Sequence, residues 1–288
     1  MRKITKTLLA LAVPVAMLAG ANANASMITS WDYENLFGFD SWSSTAGGTS
    51  GINSLTQNNY QFFGLDPSVA NPTYLNSTTL AWGTPTPSQF RVTSPTNNAS
   101  TDGKVTGVAS TNGAFVDDLT LIHDNNPIFG ATLNSAVLQG SLLLRAQAAP
   151  NQELGPLTGT FKILFKETPN TAPCANAGAA CPDIFVFDQA NSSPLTKFQI
   201  GIIDDYTYFL SLDLTGAGLT TLNSASCAAV GQAAGCLGFI TQENQSNAVN
   251  FQFKVSAEKN AIPEPGILAL LGLGLAGIGF SQVRRRRK

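Results

Sequence analysis

Apolar and polar residues alternate along much of this chain, with the period of two that places successive side chains on opposite faces of a strand. In NFQFKVS, Phe251, Phe253 and Val255 share one face while Gln252 and Lys254 share the other. GTFKILFKE repeats the pattern, with Phe161, Ile163 and Phe165 opposite Lys162, Leu164 and Lys166. DYTYFLSLDL sets Tyr206, Tyr208, Leu210, Leu212 and Leu214 against Thr207, Ser211 and Asp213, broken once by Phe209. VLQGSLLLRA, DIFVFD, KFQIGIID and FVDDLTLIH also read as strands. Pro, Gly and Asn punctuate these runs, as in AAPNQELGP, ETPNTAPC, NSSP and TGAG, and Asp204-Asp205 predicts a tight hairpin turn. The body shows no convincing amphipathic helix. Short strands joined by turns predict an all-β fold, an antiparallel β-sandwich of jelly-roll-like kind. Residues 41–113 are less regular, with short strands expected at 60–63 and 90–93.

Both ends break this pattern. The stretch MRKITKTLLALAVPVAMLAGANANAS begins with Arg2, Lys3 and Lys6, continues through an apolar core at 8–18, and reaches the small-residue site Ala23-Asn24-Ala25. That order predicts a secretory signal helix, carried by the Sec translocon and cut by signal peptidase after Ala25. The other end reads IPEPGILALLGLGLAGIGFSQVRRRRK. Residues 266–283 form an apolar run that, at about 1.5 Å per residue, spans roughly 27 Å as a single transmembrane helix. Arg284, Arg285, Arg286, Arg287 and Lys288 then make a cytoplasmic stop, which leaves the body on the outer side of the membrane. Pro263 and Pro265 hold the segment around Glu264 extended ahead of the helix. The expected organisation is a signal peptide at 1–25, one exported β-sandwich domain at 26–260, and a sorting tail at 262–288.

Removing the ends changes the charge. The chain has 16 Lys/Arg and 18 Asp/Glu. Three of the basic residues precede residue 26, five follow residue 260, and Glu264 is the one acid outside the body, which therefore carries −9. An acidic body without a basic stripe excludes nucleic acid as a partner. The four cysteines form two close pairs, CANAGAAC (Cys174, Cys181) and CAAVGQAAGC (Cys227, Cys236). An exported chain with an even count predicts disulfides. Of three connectivities the local one is favoured, because each bridge then staples a small Ala/Gly loop. A zinc site fits less well: neither spacing is C-x₂₋₄-C, and His123 is the single histidine.

No nucleophile elbow, Walker loop or zinc-protease motif is present. A glycosidase-like carboxylate pair could be drawn from Asp117, Asp118, Glu153 and Asp183, but nothing in the sequence selects one. The densest polar stretch, VDDLTLIHDNNPI, offers Asp117, Asp118, Asp124, Asn125 and Asn126 as oxygen ligands of the kind Ca²⁺ takes, in a spacing unlike an EF-hand. A strand followed by an Asn-Asn-Pro turn explains the same residues without an ion, and His123 reads as a packed or turn-anchoring residue. Trp31, Trp42, Trp82, Tyr33, Tyr60 and Tyr74 could stack on sugars or pack in a core.

The Pro263-Glu264-Pro265 motif, the Gly/Leu helix and the Arg cluster together resemble the PEP-CTERM sorting signal. The resemblance implies that an integral-membrane exosortase recognises the tail and cleaves near the motif. The protein then leaves the inner membrane of a Gram-negative bacterium for the cell surface or exopolysaccharide matrix of a biofilm or floc. The body, across about 113–257, resembles the THxN group of PEP-CTERM proteins at LTLIHDNNPIFGATLNSAVL, FKILFKETPNTAPC and CPDIFVF. His123 and Asn125 match that group's motif, while Ile122 stands where it has Thr. The group brings no activity or catalytic residue with it. The expectation is a non-enzymatic structural or adhesive surface protein without a cofactor. A carbohydrate- or calcium-binding module is the alternative, and a polysaccharide hydrolase is third.

Overall fold

A computed structural model describes residues 26–56, 77–94, 103–149, 151–170, 181–191, 197–214 and 219–260. The segments expected to form a signal helix, a transmembrane helix and a strand at 60–63 lie outside the described residues.

The described residues form fourteen strands: β1 (Ser30–Ser44), β2 (Ile52–Thr56), β3 (Ser77–Trp82), β4 (Ser88–Thr93), β5 (Lys104–Ser110), β6 (Val116–Asn125), β7 (Leu133–Ala146), β8 (Glu153–Lys166), β9 (Asp183–Phe187), β10 (Phe198–Ile203), β11 (Tyr206–Asp213), β12 (Thr220–Thr221), β13 (Leu237–Thr241) and β14 (Gln245–Lys259). They form one sheet in the order β10-β11-β14-β6-β4-β3-β1-β7-β8-β9-β13-β12, with β2 on β3 and β5 on β1. The strand pairs are antiparallel, as the alternation predicts.

The sheet curls until its two halves face each other. Trp31 on β1 meets Tyr208 on β11 edge to face at 5.2 Å, and Tyr33 meets Phe253 on β14 at 4.9 Å. Phe161 on β8 meets Phe251 on β14 at 5.3 Å. Asn112, just past β5, donates its backbone N–H to the Val255 carbonyl at 2.8 Å and ties the middle of the strand order to β14. The sandwich thus takes the form of one curled sheet, with the core between its halves.

The alternating runs bury the faces expected of them. Phe161, Ile163 and Phe165 on β8, and Phe251, Phe253 and Val255 on β14, are buried. Asp204-Asp205 forms the two-residue turn between β10 and β11, with Asp204 at φ 51°, a backbone region that Asp tolerates better than most residues.

Several elements differ from the sequence reading: β1, β2, β3, β5, β12 and β13 were not anticipated, nor was a short helix. The fifteen-residue β1 is the longest strand with β14 and pairs with β7 along its length, yet its sequence does not alternate. It buries Glu34 and Asn35 by pairing them: Glu34 with Lys104 at 2.7 Å and Asn35 with Asp118. A short helix, α1 (Ser224–Ala229), also occurs where no helix was expected. Asn223 caps it by accepting from the Ser226 backbone N–H at 2.8 Å. Among the described residues no helix is long and apolar enough to cross a membrane.

Candidate functional site

Three acidic residues from distant parts of the chain converge where β9 and β13 meet β6. Strand register brings them there. Lys166 at the end of β8 pairs with Ile184 on β9, which places Glu167 beside Asp183. Asp183 pairs in turn with Thr241 on β13. Glu243 follows two residues later, in the tight turn that carries the chain from β13 to β14. One carboxylate oxygen from each of Glu167, Asp183 and Glu243 lies within 4.8 Å of the others. On the opposing strand, His123 of β6 turns its Nε2 toward the group, 3.9 Å from Asp183 Oδ2, and both residues are 0 % exposed.

Each of these side chains except Glu243 is held by one atom and leaves another without a hydrogen-bond partner. Trp82 Nε1 donates to Glu167 Oε2 at 3.1 Å, and Oε1 is left. The Thr168 backbone N–H donates to Asp183 Oδ1 at 2.9 Å, and Oδ2 is left. His123 Nδ1 bonds Thr241 Oγ1 at 2.9 Å, and Nε2 is left. Both Glu243 oxygens are buried without a hydrogen bond. Unmade bonds on buried carboxylates are costly, and natural interiors contain few of them.

Electrostatics follow from burial and crowding. The Asp183 carboxyl is pushed far up by desolvation and by the Glu167 charge beside it. Glu167 rises by desolvation, against the pull of the Trp82 indole. Burial raises Glu243 too, and the neighbouring Asn125 amide pulls it partway back. His123 moves the other way: burial lowers its imidazole to about 3, so the ring is neutral and no ion pair forms with Asp183. Trp82 stacks on that ring at 6.0 Å, and Phe90 and Phe165 flank it at 4.8 and 5.0 Å.

Asn125 closes the structure around the group. Its Nδ2 donates to the Thr241 carbonyl at 2.9 Å, and Asn247 Nδ2 donates to the Ile240 carbonyl at 2.7 Å. These two amides dock β13 onto β6 and β14.

The polar stretch considered for calcium is not brought together. β6 runs through Asn125, so its acids alternate between faces rather than lining a turn. Asp117 accepts from Gln252, Asp118 from Asn35, and Asp124 from Arg91, Gln89 and Ser246. Asn126 donates its side-chain amide to the Pro87 carbonyl. Of the four carboxylates weighed as a pair, Asp183 joins the cluster and Glu153 bonds Arg145. Glu167 and Glu243 were not singled out in the sequence. Trp31, Tyr33 and Trp82 are core residues rather than a sugar platform, Trp42 is half-buried, and Tyr60 and Tyr74 lie outside the described residues. Asn35 and Asp118 instead form the polar end of a partly open pocket of about 330 Å³, lined by Leu142, Phe161, Leu210 and Phe253. Cys227 and Cys236 form a disulfide across α1, and Cys181 is also disulfide-bonded. Cys174 lies outside the described residues, as do Ala23, Ala25, Pro263, Glu264, Pro265 and Arg284, Arg285, Arg286, Arg287 and Lys288.

A family model of the PEP-CTERM protein-sorting motif matches residues 261–286, across the proline pair, the apolar run and most of the basic cluster. The chain thus carries a PEP-CTERM sorting motif, a signal for exosortase-dependent sorting to the surface in Gram-negative bacteria. The match covers the tail alone, and no curated protein matches the chain.

Proposed function

We propose that this PEP-CTERM protein is a non-enzymatic surface or extracellular-matrix component, structural or adhesive, which an exosortase cuts from a transient anchor in the inner membrane. The sorting motif at 261–286 carries this reading. A Sec signal at the other end, removed by signal peptidase after Ala25, supplies the export that the tail presupposes. The body suits exopolysaccharide surroundings: it is acidic, all-β and stapled by a disulfide, a bond that persists in oxidising compartments. The resemblance to the THxN group, at His123 and Asn125, supports one exported domain.

Two other readings draw less support. The Glu167–Asp183–Glu243 separations are near the roughly 5 Å that a retaining glycosidase uses. Their free oxygens are buried, however, and a polymer needs an open cleft to reach them. Carbohydrate binding by stacking calls for exposed rings, and Trp31, Tyr33 and Trp82 are packed inside.

Fractionating cells with and without the exosortase tests the proposal. Release to the surface or medium only when the exosortase is present supports it. Residence in the inner membrane in both strains overturns it.

A further inference from the structure

We propose that Glu167, Asp183 and Glu243, with His123, bind one divalent first-row transition-metal ion at the junction of β6, β9 and β13.

An acidic cluster alone does not make a metal site. The independent observation is His123. Its imidazole is 0 % exposed, Nδ1 is engaged by Thr241, and Nε2 has no hydrogen-bond partner and faces Asp183 Oδ2 at 3.9 Å. That distance is too long for a hydrogen bond. It fits two ligand atoms on neighbouring vertices of one ion, which at about 2.0–2.2 Å from each stand roughly 3–4 Å apart. The carboxylate oxygens lie within 4.8 Å of each other and His123 Nε2 stands outside that group, so the four side chains would close by about an ångström or more around that ion.

The outer contacts follow the pattern of metal ligands. Trp82 orients Glu167, the Thr168 backbone N–H orients Asp183, and Thr241 orients His123, each through the atom that would not coordinate. With the Nδ1 proton donated to Thr241, Nε2 presents a lone pair. The buried oxygens left on Glu167, Asp183 and Glu243 would then all be satisfied by the same ion.

The donor set selects the ion. Three carboxylates and an imidazole make a mixed O/N set that suits Mn²⁺ or Zn²⁺; Ca²⁺ prefers an all-oxygen shell of six to eight ligands. Thiolates are absent from the group, which disfavours soft ions. The site lies in the core beside Trp82, Phe90 and Phe165, so the ion would join β6 to β9 and the β13–β14 turn rather than meet a substrate.

The test uses the full chain in detergent, stripped with chelator and then titrated with MnCl₂, ZnCl₂ or CaCl₂. Bound metal is counted after desalting, and thermal unfolding is followed in parallel. One Mn²⁺ or Zn²⁺ per chain, with a concentration-dependent rise in Tm, is expected. Glu243→Gln, in the half-buried β13–β14 turn, should weaken binding at least tenfold, and Asp183→Asn should abolish it. The proposal is overturned if the stripped chain takes up neither ion, if Ca²⁺ alone binds, or if Glu243→Gln and Asp183→Asn both bind as tightly as the parent chain.

Discussion

His123 Nε2 and Asp183 Oδ2 face each other across 3.9 Å with neither residue exposed. The pair joins two strands that are far apart in the sheet order, β6 and β9, and so marks where the curled halves meet. Its surroundings combine an aromatic shell on the histidine side with three crowded carboxylates on the other. A bacterial surface protein meets changing pH and ionic conditions, and this corner of the fold is where such changes would be felt.

Trp82 supports both sides of that junction. It is fully buried, packs on Phe90 at 5.2 Å and Phe165 at 5.1 Å, and donates to Glu167. Trp82→Phe removes the donor and part of the volume while keeping an aromatic ring. A loss of roughly 1–3 kcal/mol is expected from the small cavity and the stranded Glu167 oxygen. Urea unfolding measures it, and an unchanged midpoint would mean that neither contact contributes.

Asp118 should give the fold a pH dependence of definite sign. Burial pushes its carboxyl from an ordinary 3.8 to about 7, partly offset by the Asn35 amide at 2.7–2.8 Å. Between those values the folded chain keeps a proton that the unfolded chain has lost. This contribution is therefore full below about pH 4 and is lost as pH rises toward about 7, at about 1.4 kcal/mol per unit. Asp118→Asn keeps the shape and removes the titration. Urea midpoints at about pH 5 and about pH 7.5 should differ more in the parent chain than in the variant; identical pH dependence would show that Asp118 is already ionised in the fold.

The Cys227–Cys236 bridge closes a loop of sequence separation 9. Chain entropy predicts that replacing both residues by Ser costs about 2–3 kcal/mol. The effect should stay near α1. Hydrogen exchange should speed up there and remain slow in β7 and β8; uniform acceleration across the core would contradict a local staple.

Replacing Pro263, Glu264 and Pro265 by Ala together should block processing while leaving export intact. The variant should accumulate in the inner membrane with its body outside, accessible to protease added to spheroplasts. Normal release of this triple variant would show that the apolar run and basic cluster suffice without the motif.

Legibility in the sequence depended on how each residue is used. β8, β11 and β14 have one face in the core and one outside, so alternation revealed them. β1 did not show itself, because a central strand buries both faces and here satisfies Glu34 and Asn35 internally. The polar stretch of β6 looked like a cluster because its residues are adjacent in sequence, yet a strand sends neighbours in opposite directions. The true convergence joins Glu167, Asp183 and Glu243, each at or just beyond a strand end, through pairings that no local window contains. His123 was visible as the single histidine, and its partners emerge only from strand register. The sorting motif at 261–286 was legible, since a sorting signal works as a linear motif and needs no fold to be read.

The most direct test of the sorting reading is mass spectrometry of both termini of the mature protein, purified from the surface or medium of the native host. The expected mature chain begins at Ser26 and ends near Pro263-Glu264-Pro265, lacking the apolar run and basic cluster. A surface form that retains residues 266–288, ending at Lys288, would contradict it.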